Sequence, residues 1–171
     1  RHAGKLESLT QLCRQITQIR IRNISFQVRE ENECWRAGFC LCAIAEFKPC
    51  SFDEGWWILF EGLLKAGNFA ALHLSSARFD EPACLALLAD CDQVVTVHGC
   101  GNAGEVVLMG GRDAGLREAI ASRLRALGLS CEDAPAGLDA MDPRNVCNRG
   151  LSGAGVQLEL SLELRRSPRR S

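Results

Sequence analysis

A chain of 171 residues with 47% hydrophobic and 24% charged residues is long enough for one domain with a sizeable core and short for two. Its net charge of -1 argues against a dedicated polyanion binder, and its longest apolar runs fall well short of a membrane span. The expectation is a soluble globular protein, oligomeric state open, without nucleic-acid or membrane partners.

The sequence opens at Arg1 without an initiator methionine or a leader-like segment, which reads as a fragment or processed product whose compartment is not legible. Glu7 to Ile19 carries Leu9, Leu12, Cys13, Ile16 and Ile19 at helical spacing and predicts an amphipathic helix. Arg20 to Cys50 holds four of the ten cysteines and no persistent pattern, and reads as a cysteine-rich insertion at about 20–50. No paired C-x-x-C knuckle occurs, so a zinc ribbon is not expected; cysteines in segments such as "ACLALLADC" read as buried, reduced thiols. Regular patterning resumes at Ser51 and leads to a short extended segment at Leu72 to Ser75. Glu81 to Ala89, with an acidic, proline-containing start, predicts a helix.

Val94 to Val97 is β-branched throughout and predicts a strand with His98 at its carboxyl end. The glycines that follow, Gly99, Gly101 and Gly104, spell a dinucleotide-like G-x-G-x-x-G, but the fingerprint needs a helix where "EVVLMGG" predicts another strand. Val94–Val97 and Val106–Met109 therefore read as neighbouring strands joined by a glycine loop. "DAGLREAIASRLRALG" puts Leu116, Ile120, Leu124 and Leu127 on one helical face, with Gly128 as a cap. Leu129 to Glu132 returns towards the sheet, and Val156 to Leu162 alternates as a last strand. Arg165, Arg166, Arg169 and Arg170 read as a solvated basic tail. Alternating strands and helices make this an α/β fold, a single domain with a mixed sheet flanked by helices.

His2 and Glu7, five residues apart across a turn containing Gly4, could meet His98 on one Zn²⁺, leaving a coordination position for water. Glu159, the ionisable residue of "GVQLELS", could take that water's proton. Arg149 could hold a substrate carboxylate bidentately, with Asn148 adding a hydrogen bond. Each has a plain structural counterpart: a packed core histidine, a solvent-facing polar edge of the last strand, a loop arginine paired with surface acids.

Taken in order, "HAGKLESLT", "LHLSSARFDEP", "VVTVHGCG", "VVLMGG", "NVCNRG" and "GVQLELS" resemble the poly-γ-glutamate hydrolase family of phages and bacteria, a branch of the zinc carboxypeptidase-like α/β fold. The resemblance implies a zinc-dependent amidohydrolase of γ-glutamyl bonds acting on an anionic polyamide. His2, Glu7 and His98 match its metal ligands, Glu159 its general base, and Asn148 and Arg149 its substrate-binding pair. His73, in "LHLSS", matches a family histidine and is expected to touch substrate or hydrogen-bond structurally. Ala3, Ser8 and Leu9 depart from a first motif that in the family looks like "HGGxxExGT", and the strand expected before that histidine is missing, an N-terminal truncation. A catalytically inactive relative and a cysteine-rich metal or redox site at Cys34, Cys40, Cys42 and Cys50 are the competing readings.

Overall fold

The computed structural model describes residues 73–166 in full and the backbone of two strands before them, residues 40–45 and 56–61. The predicted helix at Glu7 to Ile19, together with His2 and Glu7, lies outside the described residues. Six strands form one sheet among the described residues: β1 (Cys40–Ala45), β2 (Trp56–Glu61), β3 (Val94–Gly99), β4 (Val106–Gly110), β5 (Ser130–Asp133) and β6 (Val156–Leu160). Their order is β2-β1-β3-β6-β4-β5. β3 with β6 and β4 with β5 run parallel, whereas β1 with β2, β1 with β3, and β4 with β6 run antiparallel. This is the expected mixed sheet flanked by helices.

The helices are α1 (Pro82–Leu88), α2 (Ala114–Ala126) and α3 (Leu162–Arg166). Glu81 caps α1 by accepting from the backbone N–H groups of Ala83 at 3.2 Å and Cys84 at 2.6 Å, and Pro82 fills the first position, where no N–H partner is needed. Asp113 caps α2 through Leu116 N at 2.9 Å. At its other end Gly128 N donates to Arg125 O and Leu129 N to Leu124 O, with Gly128 at φ 83°, a Schellman stop of the kind the glycine predicts.

One face of the sheet is apolar. Val95, Val97, Val107, Met109, Val156, Leu158 and Leu160 pack under Leu116, Ile120, Ala121 and Leu124 of α2 and Leu164 of α3. Ile120, Leu124, Leu158 and Leu160 are completely enclosed, each contributing about 1.5–3 kcal/mol of hydrophobic stabilisation. The opposite face carries Thr96 and His98 of β3 in register with Gln157 and Glu159 of β6. Cys84, Cys91 and Cys147 pack with Phe79, Leu88, Val94 and Val146 over part of that face, behaving as small hydrophobes as expected. Burial pushes the Cys84 thiol up to about 11 and Cys147 up to about 12.

Three expectations are corrected. Cys40–Ala45, inside the block without a persistent pattern, forms a regular strand pairing with both β2 and β3. β3 and β4 are not neighbours, because β6 lies between them: Cys100 N donates to Leu160 O at 2.9 Å and Ser161 N to Val106 O at 3.1 Å, so the glycine loop arches over the end of β6. The last strand ends at Leu160 and Leu162 opens α3, since the fully buried Ser161 turns the chain, accepting at Oγ from Val106 N and Leu164 N. Of the extended segment expected at Leu72 to Ser75, Ser75 is extended in backbone and Leu72 lies outside the described residues.

Backbone also meets backbone closely at Gly155, just before β6. A Cβ there would collide with Cys147 O and lie 2.6 Å from Val94 O, neither of which can swing aside. Gly155→Ala should therefore cost more than about 3 kcal/mol. Urea unfolding would read this as a large drop in midpoint; a loss below about 1 kcal/mol would mean that the β6 entrance is far looser than described.

Candidate active site at the carboxyl ends of β3 and β6

The parallel pairing of β3 and β6 sets His98 directly opposite Glu159, both on the polar face and near the carboxyl ends of their strands. Paired residues of adjacent strands share a face, so the two side chains rise side by side. The polar face of β6 does not meet solvent: Gln157 and Glu159 are each 4% exposed and Ser161 is fully buried. That removes the solvent-facing reading of Glu159.

Among the described residues, two enclosed polar atoms lack a hydrogen-bond partner, Thr96 Oγ1 and His98 Nε2, and they belong to the same face of the same strand. Burial, reinforced by the charge of His73, lowers the His98 pKa from 6.5 to about 4. The imidazole is therefore neutral near pH 7 and has a lone pair to offer, the form in which histidine ligates metals. Glu159 is pushed the other way. Its pKa rises from 4.5 to about 7 by desolvation, against the Gln157 hydrogen bond and the Arg165 charge, which both lower it. Its carboxylate accepts from Gln157 Nε2 at 2.9 Å.

The turn Val146–Asn148 presents the Asn-Arg pair. Asn148 commits its whole amide to the protein. Nδ2 donates to Ala140 O at 2.7 Å and Asp142 O at 3.0 Å, while Oδ1 accepts from Gly155 N at 3.0 Å and Arg112 N at 3.4 Å. Two donors and two acceptor positions are all that an amide has. The side chain that the sequence offers as a substrate contact is thus engaged in holding the loop. Arg149, next in sequence, is exposed, with Nη1 donating to Phe79 O at 3.3 Å. His73 is exposed and close enough to His98 to act on it electrostatically.

Sequence reasoning missed Arg165. Instead of joining a solvated tail, this half-buried residue folds back across the end of β3, donating from Nε to Leu160 O at 3.1 Å and from Nη2 to Cys100 O at 3.1 Å. Its guanidinium lies over Gly99, where a Cβ would come within 2.7 Å of Cζ. A side chain at position 99 and the arginine compete for the same space. The signal available was a glycine immediately after His98, which local conformation alone did not explain.

As to metal, His98 fits: it is neutral and its Nε2 is enclosed and unpartnered. The other two expected ligands, His2 and Glu7, lie outside the described residues, within which no group of three His, Cys, Asp or Glu side chains could hold an ion. No helix among the described residues is long and apolar enough to cross a membrane.

The described fold is a mixed α/β sheet in which a histidine and a buried glutamate are paired near the carboxyl ends of adjacent parallel strands. The sequence profile of the poly-gamma-glutamate hydrolase family matches residues 50–168, and the chain belongs to that family. His98, Asn148, Arg149 and Glu159 fall inside the match; β1, His2 and Glu7 precede it. The chain is 36% identical over 110 residues to the SPbeta prophage-derived protein YoqZ of Bacillus subtilis (strain 168), covering 63% of this chain and 40% of that protein. It is 33% identical over 116 residues to YndL of the same organism, covering 64% and 44%. The chain thus spans under half the length of these relatives. Among solved structures, a bacteriophage poly-gamma-glutamate hydrolase superposes with a TM-score of 0.62 at 38% identity, covering 66% of this chain and 54% of that one. A zinc-free apo form of YndL superposes with a TM-score of 0.61 at 27% identity, covering 67% and 56%.

Two predictions follow from the burial of this pair. In metal-free protein, His98 binds fewer protons folded than unfolded between pH 4 and 6.5, so its stabilising contribution is lost as pH falls through that window. Glu159 binds more protons folded than unfolded between pH 4.5 and 7, so its contribution is complete below 4.5 and lost as pH rises to 7. The two slopes oppose each other and cancel from pH 4.5 to 6.5. Relative to wild type, His98→Gln should therefore lose stability as pH rises across this span, and Glu159→Gln as it falls, each by up to about 3 kcal/mol. Urea titrations at several pH values check this; variants that track wild type in parallel would show that neither group is desolvated. Separately, Gly99→Ala and Arg165→Ala should not be additive in thermal unfolding, because either one unseats the guanidinium; additive losses would place Arg165 elsewhere.

Proposed function

We propose that this chain carries the core of a zinc-dependent amidohydrolase that cleaves γ-glutamyl amide bonds of poly-γ-glutamate. The observation that carries the reading is the in-register pairing of a neutral His98, whose Nε2 is unpartnered, with a buried Glu159 whose pKa is raised to about 7. His2, Glu7 and His98 would hold the ion. Zinc, when bound, supplies a Lewis acid that polarises the scissile carbonyl and eases deprotonation of water.

The chain's own residues then have separable tasks. Glu159, poised near neutral pH, accepts the proton of the attacking water as the new C–O bond forms, and returns it to the amide nitrogen as the C–N bond breaks. The products are a carboxylate and an amine. Poly-γ-glutamate carries an α-carboxylate on each residue, and the exposed fork of Arg149 can grip one bidentately. Asn148 contributes through Arg149, by fixing the turn from which it projects. His73 stands where it can touch the substrate or tune His98.

A second reading, a non-catalytic relative acting as a binding or structural module, is favoured by one observation: His2 and Glu7 fall outside the family match at residues 50–168. Elemental analysis and hydrolysis assays separate the two. The hydrolase reading expects about one zinc per chain, lost in His98→Ala. Glu159→Gln should retain zinc while kcat on poly-γ-glutamate falls at least ~10²-fold. Arg149→Ala should raise KM roughly 10-fold or more, with Arg149→Lys recovering little of it. Folded protein that takes up no zinc and releases no glutamyl fragments would establish the second reading.

A further inference from the structure

Glu159 is held by more than its strand. Its Oε1 accepts from Gln157 Nε2 at 2.9 Å, and Gln157 Oε1 accepts from Asn145 Nδ2 at 3.0 Å. Glu159 and Gln157 are each 4% exposed and Asn145 is 6% exposed. An amide has one donor end and one acceptor end, so the direction of this chain matters as much as its existence.

That direction is set by the backbone. Asn145 Oδ1 accepts from Cys147 N at 3.0 Å, and a backbone N–H can only donate. The oxygen of Asn145 must therefore face Cys147, which turns its NH₂ towards Gln157, which in turn leaves the Gln157 NH₂ facing Glu159. A contact of 3.4 Å from Gln157 Nε2 to Leu138 O, a group that can only accept, agrees. The same Asn145–Cys147 bond caps the turn Val146–Asn148 that ends at Arg149.

We propose that Gln157 is a positioning residue for Glu159 and that Asn145 sets the sense of its amide, so that the carboxylate is oriented by a two-amide relay anchored in the turn that presents Arg149. The inference rests on the hydrolase reading for what Glu159 does. Its consequence is that the group gripping the substrate and the group moving the proton are registered to each other through buried side chains as well as through the chain between them.

Two variants test it. Gln157→Met keeps the volume and removes the donor. Asn145→Asp still caps Cys147 but has no N–H for Gln157, whose amide then turns and sets its oxygen against Glu159. Both should fold, hold zinc as wild type does, and change KM by no more than about twofold, while kcat drops roughly 10-fold and the acid limb of the kcat/KM profile moves up by about one pH unit. The near-isosteric Asn145→Asp should do at least as much as Gln157→Met, an order that lost packing does not produce.

A readout independent of activity is the 13Cδ resonance of Glu159 in zinc-free protein, assigned by its absence in Glu159→Gln. It should titrate about one unit higher in both variants than in wild type. An unmoved titration with unchanged kcat overturns the relay, and it does so even if the wild type hydrolyses poly-γ-glutamate. A shifted titration in a protein without hydrolytic activity upholds the relay and removes the hydrolase reading.

Discussion

Insertion of β6 between β3 and β4 is the constraint on which the rest depends. It brings the last strand of the described fold into the centre of the sheet, pairing it with β3 on one side and β4 on the other. Because residues in register share a face, this single placement sets Glu159 beside His98, buries the polar side of β6, and turns its apolar side under α2 and α3. A slip of one residue would reverse the faces of all five β6 side chains, placing Leu158 beside His98 and Glu159 in the apolar core. The enclosed Val156, Leu158 and Leu160 therefore fix the register, and the site inherits it.

What the sequence made legible was local. Glu81 with Pro82 before α1 and Gly128 after α2 are caps whose chemistry acts within a few residues, and they fell where their types require. His98 at a strand end was legible for the same reason, since a β-branched run followed by glycine needs no distant partner to be read. What escaped was non-local. The neighbour of β3 is chosen by pairing across some sixty residues of chain, and β1 comes from a segment whose composition carries no alternation to announce it. Arg165 looked like part of a charged tail because its destination, the space over Gly99, is made by a residue far away in sequence. The alternation of Gln157, Glu159 and Ser161 showed a polar face but could not say what would cover it.

The candidate site was legible to an unequal depth. Residue types pointed to His98, Glu159, Asn148 and Arg149, yet did not show that the Asn148 amide makes four backbone hydrogen bonds that hold the turn. An exposed asparagine beside an arginine and a buried one bracing that arginine's turn have the same sequence signature. Asn145, three residues earlier, opens the segment "NVCNRG", but its residue type gives no sign that its amide connects the turn to β6.

The energetics of the polar face bear on what it is for. Desolvating Glu159 is opposed only in part, by one neutral hydrogen bond from Gln157 and the charge of Arg165, and each enclosed atom without a partner, Thr96 Oγ1 and His98 Nε2, costs about 1–3 kcal/mol. Apolar residues at these positions would serve the sheet better, as Val95, Val97 and Leu158 on the other face demonstrate. A fold whose total margin is about 5–15 kcal/mol holds several kcal/mol of unfavourable polar burial in a patch two strands wide. Structural duty alone gives no reason for that concentration. A neutral imidazole with a lone pair to offer and a carboxylate that titrates near neutrality, set side by side at the strand ends, suit the two separate tasks proposed for them, ligation by His98 and proton transfer by Glu159.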